Sequence, residues 1–151
     1  MIRSLHTCAL ALALALTLIA PTALGSTDEL LQAVMNEQQA FEVGECDKLL
    51  TIIDEDVTFY ANGQRWSHAQ VGKFCRNIKR PFGAGREPIE DTITPYLVTP
   101  EYGYTVRNFL WEDAQDNKMR EVVTKVWRKQ DGEWNIVHFQ STVVPEKSGK
   151  P

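Results

Sequence analysis

From Ser26 onward the apolar positions follow two different periods, and the change from one to the other divides the chain. Leu30, Leu31, Val34, Met35 and Phe41 recur at helical spacing behind a Ser26/Glu29 capping box, which predicts a helix to about Glu42 stopped by Gly44. A second, short helix from Asp47 to Ile53 presents Leu49, Leu50, Ile52 and Ile53. The acidic run Asp54-Glu55-Asp56 then breaks into a strand, Val57 to Ala61, which Asn62-Gly63 turns back. Ser67 and Gln70 form another capping box and open a third helix, from about His68 to Ile78, with Val71, Phe74 and Cys75 toward the core.

Residues 80–88 are rich in Pro, Gly and mixed charge and read as a surface loop. Everything after them reads as strand, each segment rich in β-forming residues: 90–98, 104–112, 119–129 and 133–144, separated by turn-forming residues at 99–103, 114–117 and Asp131-Gly132. Asp-Gly between β-branched and aromatic residues is a strong hairpin signal, because both turn positions need positive φ. Helices first and a meander of strands after predict an α+β domain, three helices packed on one face of a curved, mostly antiparallel sheet. Alternation groups Thr105, Arg107, Phe109 and Trp111 on one face of their strand and Glu121, Val123, Lys125 and Trp127 on one face of theirs. It leaves open which face is concave.

The first 25 residues carry the pattern of an export signal: Arg3, an almost wholly apolar run from Leu5 to Ala20, Pro21, and the small-residue site Ala23-Leu24-Gly25. The run spans 16 residues, short of the ~20 that a membrane-spanning helix needs, and Cys8 lies at its front, away from where a lipid-attachment cysteine would be. The expectation is a signal peptide over 1–25, cleavage before Ser26, a periplasmic or secreted product, and no membrane anchor after cleavage. Removing 25 of 151 residues leaves 126, enough for one core over residues 26–145 with a polar tail at 146–151. The loss of Arg3 makes the mature chain one unit more negative than the full chain's −4, which argues against nucleic acid or an anionic membrane as partner.

Cys46 and Cys75 remain after processing, and an even number in an oxidising compartment permits one disulfide; two buried free thiols are the alternative. Neither has a Cys or His at ligand spacing, and of the three histidines one is in the leader, so no metal and no cofactor is expected.

The order helix, helix, strand, helix, four strands, with Val126-Trp127, Asp131-Gly132-x-Trp134 and Val137-His138-Phe139 at its end, resembles the nuclear transport factor 2-like (SnoaL-like) superfamily. Within it the sequence is most similar to the association domain of calcium/calmodulin-dependent kinase II and its free-standing bacterial relatives. Phe41-x-x-Gly44-x-x-x-x-Leu49 supports the likeness, which covers roughly residues 30–143. No Gly-rich loop, His-Arg-Asp or Asp-Phe-Gly is present, so kinase activity does not come with it. The resemblance implies a cone with a pocket between sheet and helices, and assembly as a homodimer or larger homo-oligomer.

It also implies where chemistry would sit. Isomerases of this superfamily pair a carboxylate base on the first strand with a tyrosine on the first helix; the matching positions here are Ala61 and Glu37, which removes that dyad. The kinase association domains line their pocket with arginines, and two such positions match Arg107 and Lys125, which suggests a site for a carboxylate or phosphate, with His138 nearby. The plain alternative for Arg107 and Lys125 is cross-strand pairing with Glu112 or Glu121. Tyr60, Asn62 and Trp66 lie where superfamily pockets open and are further ligand candidates; a turn or core role is the alternative for each. Three functions follow: a binder of a small polar or anionic molecule, an isomerase, cyclase or hydrolase using His138 or Glu37 for proton transfer, and an assembly protein with a vestigial pocket.

Overall fold

The computed structural model describes residues 26–80 and 87–146; the leader and most of the polar tail lie outside them. Helices α1 (Thr27–Val43) and α2 (Cys46–Ile52) are followed by strands β1 (Ile53–Ala61) and β2 (Gln64–Trp66), helix α3 (His68–Asn77), and strands β3 (Glu90–Thr99), β4 (Tyr102–Glu112), β5 (Lys118–Gln130) and β6 (Glu133–Pro145). The strands form one sheet in the order β2-β1-β6-β5-β4-β3. All neighbours are antiparallel except β1 and β6. This is the α+β arrangement expected from the sequence.

Local chemistry sets the elements. Both capping boxes form, Ser26 with Glu29 and Ser67 with Gln70. Gly44 at φ 81° ends α1, and its N–H bonds the carbonyls of Ala40 and Phe41. Asp131 and Gly132, at φ 53° and 88°, make the β5–β6 hairpin turn. The strand expected to start at Val57 starts at Ile53 instead: Ile53 pairs with Ile136, and the acidic run is absorbed by a register shift before Thr58. Asp54 is held there by Arg128, Nη2 to Oδ2 2.7 Å, so the residues that read as a break are tied to the sheet.

The core lies between the helices and one face of the sheet, centred on Leu30, Val34, Leu49, Phe59, Trp127 and Ile136. Trp127 is fully buried and its Nε1 donates to Thr105 Oγ1 at 3.1 Å, which fixes the face bearing Thr105 and Trp127 as the inner one. The buried stripe of α1 is Leu30, Val34, Glu37 and Ala40. Leu31 and Met35, expected on that stripe, are exposed, as is Phe74 of α3. The reason is rotation by about one residue: the helix turns a carboxylate inward to meet a lysine of the sheet.

Cys46 and Cys75 form a disulfide joining α2 to α3, with Cα atoms 5.8 Å apart. Arg80 caps this corner, donating from Nη2 to the Cys75 carbonyl at 2.8 Å and from Nε to the Phe41 carbonyl at 3.0 Å. One guanidinium thereby satisfies carbonyls near the C-terminal ends of α1 and α3.

Candidate functional site

Where the apolar core ends, the inner face of the sheet turns polar. On β5, Trp127 gives way to Lys125, Val123 and Glu121; on β4, Thr105 gives way to Arg107, Phe109 and Trp111. Register pairs Lys125 with Thr105, Val123 with Arg107 and Glu121 with Phe109. Both groups that alternation assembled therefore lie on the same side of the sheet, the side that bears the helices.

Lys125 Nζ meets Glu37 Oε2 of α1 at 2.5 Å, and each residue is 7% exposed. The lysine also lies 5.6 Å from the centre of the Phe139 ring. Arg107 makes a two-pronged pair with Asp91 of β3, Nε to Oδ1 at 2.6 Å and Nη2 to Oδ2 at 2.7 Å. Its guanidinium stacks over Phe109 at 4.5 Å, and Phe109 stacks on Trp111 at 5.1 Å. Partial burial is the largest single influence and opposes the Arg107 charge, but the Asp91 hydrogen bonds and the charges of Asp91, Glu121 and Glu37 together outweigh it, and the guanidinium holds its proton more tightly than a free one. Ser141 of β6 donates its hydroxyl to Glu121 Oε1.

This part of the inner face thus carries two cations, each with a carboxylate of its own, and a third carboxylate supported by a serine. Arg107 and Lys125 take partners other than the Glu112 or Glu121 that their strands suggested. Asp91 was not legible as a partner because the register of β3 on β4 decides it: Arg107 sits opposite Ile93, and Asp91 lies one inward position further along. Ser141 follows Phe139 on the inward side of β6, a relation visible only once the local bulge is known.

That bulge also decides the place of His138. Trp127 pairs with Ile136 and Val126 with His138, so one extra residue is accommodated in β6 at Val137. Trp134 and Ile136 point inward, and after the bulge Phe139 and Ser141 do. His138 is carried to the outer face, away from Arg107 and Lys125. Tyr60, beyond the inward Phe59, is on the outer face as well. Asn62 sits at φ 48° in the turn, and its Oδ1 accepts from the Val143 N–H at 2.8 Å. Trp66 stays inside, stacked with Phe59 at 5.9 Å and edge-on to Phe74 at 5.2 Å. Of the sequence-derived candidates the fold brings together Arg107, Lys125 and Glu37, with Trp66 on the same side, and it separates His138 and Tyr60 from them.

Among the described residues no helix packs on the outer face. Three rows cross it: Tyr96, Tyr104, Val126, His138 and Thr58; Thr94, Val106, Thr124, Gln140 and Tyr60; and Asn108, Val122 and Thr142. None of these side chains carries a fixed charge, and Tyr96 stacks on Tyr104 at 4.6 Å.

A separate open hollow, with a volume of about 570 Å³, lies between α2, β1 and the end of β5, lined by Asp54, His68 and Arg128 among others. Its lining includes none of Glu37, Asp91, Arg107, Glu121 and Lys125. Among the described residues no group of three or more His, Cys, Asp or Glu is placed to hold a metal ion, and no helix is long and apolar enough to cross a membrane.

No protein-family model and no curated protein matches this chain. Solved structures do. An NTF-2 like protein of unknown function from Shewanella oneidensis MR-1 is 19% identical, with a TM-score of 0.59 over 76% of this chain and 97% of that one. The CamKII hub homology domain of Chlamydamonas reinhardtii is 19% identical, with a TM-score of 0.58 over 78% of this chain and 97% of that one. A hexachlorocyclohexane dehydrochlorinase (LinA), type 2, is 13% identical, with a TM-score of 0.56 over 80% of this chain and 88% of that one. The chain has the nuclear transport factor 2-like fold, shared by kinase hub domains and by an enzyme.

Proposed function

We propose that this chain is an exported, self-associating binding domain whose inner sheet face forms a cleft that takes a small polar ligand against Arg107, beside the Lys125–Glu37 pair. The observation that carries the reading is the Glu37–Lys125 pair, 7% exposed on both sides, where the apolar core gives way to the polar part of the inner sheet face. Taking two charges out of water costs several kcal/mol per ion, and apolar residues of similar volume would hold α1 to the sheet at least as well. A pair kept there, beside a second pair at Arg107–Asp91 and aromatic walls, favours recognition of polar groups over simple packing.

Self-association rests on the outer sheet face, whose central rows lack fixed charge from β3 to β1, as the cores of protein interfaces do. The similarity to hub domains supports the same reading. Export rests on the leader sequence, and the disulfide agrees with an oxidising compartment. Proton-transfer catalysis is the weaker reading, because Glu37 is committed to Lys125 and His138 faces away from the cleft.

The test is a thermal-shift panel of small carboxylates, phosphates, amines and amino acids on the wild-type protein and on Arg107→Ala. A compound that raises the melting temperature of the wild type and not of the variant supports the reading. A response identical in both would remove the cleft from it.

A further inference from the structure

The charges lining the cleft do not balance. Glu37, Asp91 and Glu121 face Arg107 and Lys125, three carboxylates against two cations. A simple anion would add to a net negative lining. Lys125 is occupied by Glu37 at 2.5 Å in a buried contact, so it has little left to offer. Arg107 differs: Asp91 occupies Nε and one N–H of Nη2, and the Nη1 group makes no hydrogen bond among the described residues. Glu121 differs too, since Ser141 occupies Oε1 and nothing described bonds Oε2. The donor and the acceptor with spare capacity are diagonal neighbours on the inner face, since Arg107 pairs with Val123 and Phe109 with Glu121. Both border the Phe109–Trp111 stack, Arg107 by lying over the Phe109 ring and Glu121 by register with it.

Resting on the binding reading above, we propose that the ligand is a small aromatic zwitterion of the amino-acid type. Its carboxylate bonds the Arg107 Nη1 group, its ammonium bonds Glu121, and its ring lies against Trp111, since Arg107 and Trp111 already cover Phe109. Such a ligand adds no net charge to the cleft and uses both unfilled positions at once. Ser141 is then a positioning residue: its hydroxyl holds one Glu121 oxygen and leaves the other turned to the ligand.

Titration calorimetry with L-phenylalanine, phenylacetate and phenethylamine, which share a ring and differ in their charged groups, tests this. The wild type is expected to bind phenylalanine about tenfold or more tighter than either of the others, the loss for removing one hydrogen bond to a charged group. Glu121→Gln should bring phenylalanine to the level of phenylacetate, and Arg107→Gln to the level of phenethylamine. Arg76→Ala, an exposed change outside the cleft, should leave the order intact. If phenylacetate binds as tightly as phenylalanine, or Glu121→Gln leaves the phenylalanine affinity unchanged, the zwitterion inference falls and an anion-binding cleft stands. If none of the three binds while the wider panel still gives an Arg107-dependent ligand, the inference alone falls. An Arg107-independent panel removes both.

Discussion

Lys125 and Glu37 stand 88 residues apart in the chain and meet as a buried ion pair that pins α1 to the middle of the sheet. Removing one partner leaves the other charge in a poorly hydrated place. Lys125→Met or Glu37→Leu alone should cost about 3 to 5 kcal/mol, while the double change should be close to neutral or stabilising. Urea unfolding of the two single variants and the double one measures this; equal midpoints for all three would contradict the pairing.

The disulfide closes a separation of 29 residues between α2 and α3. By chain entropy its loss should cost about 3 to 4 kcal/mol. Unfolding of the wild type and of the Cys46→Ser/Cys75→Ser variant checks the magnitude. Intact mass under non-reducing conditions checks the bond, which removes two hydrogens; two thiols open to alkylation would refute it.

Close packing of α1 on the β3–β4 hairpin depends on Gly103. A Cβ there would lie 2.6 Å from Leu30 Cδ2 and 2.9 Å from the Tyr96 carbonyl oxygen. Gly103→Ala should therefore cost about 1 to 3 kcal/mol as overpacking. Gly132 has open space but φ +88°, so Gly132→Ala should cost about 1 to 2 kcal/mol for a different reason, the left-handed backbone. A crystal structure of the first variant should show Leu30 displaced and that of the second should not.

Self-association through the outer face makes Thr124, between Val106 and Gln140 at its centre, a sensitive position. Thr124→Glu should convert the oligomer to a monomer in light scattering without altering the fold seen by circular dichroism. An unchanged assembly would place the interface elsewhere.

The elements were legible because their signals are local: two capping boxes, a Gly at the end of α1, and the Asp131-Gly132 turn each act within a few residues. The beginning of β1 was not, because Asp54, Glu55 and Asp56 read as a break until Arg128, 74 residues away, supplies a partner. Alternation gathered Arg107, Phe109, Glu121 and Lys125 into the right groups, yet the choice of concave face needed the buried Trp127. Ion partners escaped for the same reason: Asp91 and Glu37 reach their cations through register and helix packing. His138 shows the limit most sharply, since strict alternation from Trp134 and Ile136 turns it inward and a single extra residue at Val137 turns it out.

The central claim, a cleft that holds a small molecule against Arg107, is tested most directly by native mass spectrometry of the purified protein beside Arg107→Ala. The account predicts an oligomer carrying a small co-purified mass that is absent from the variant. An oligomer of bare chain mass in both samples, with no compound of the panel binding to either, would contradict it.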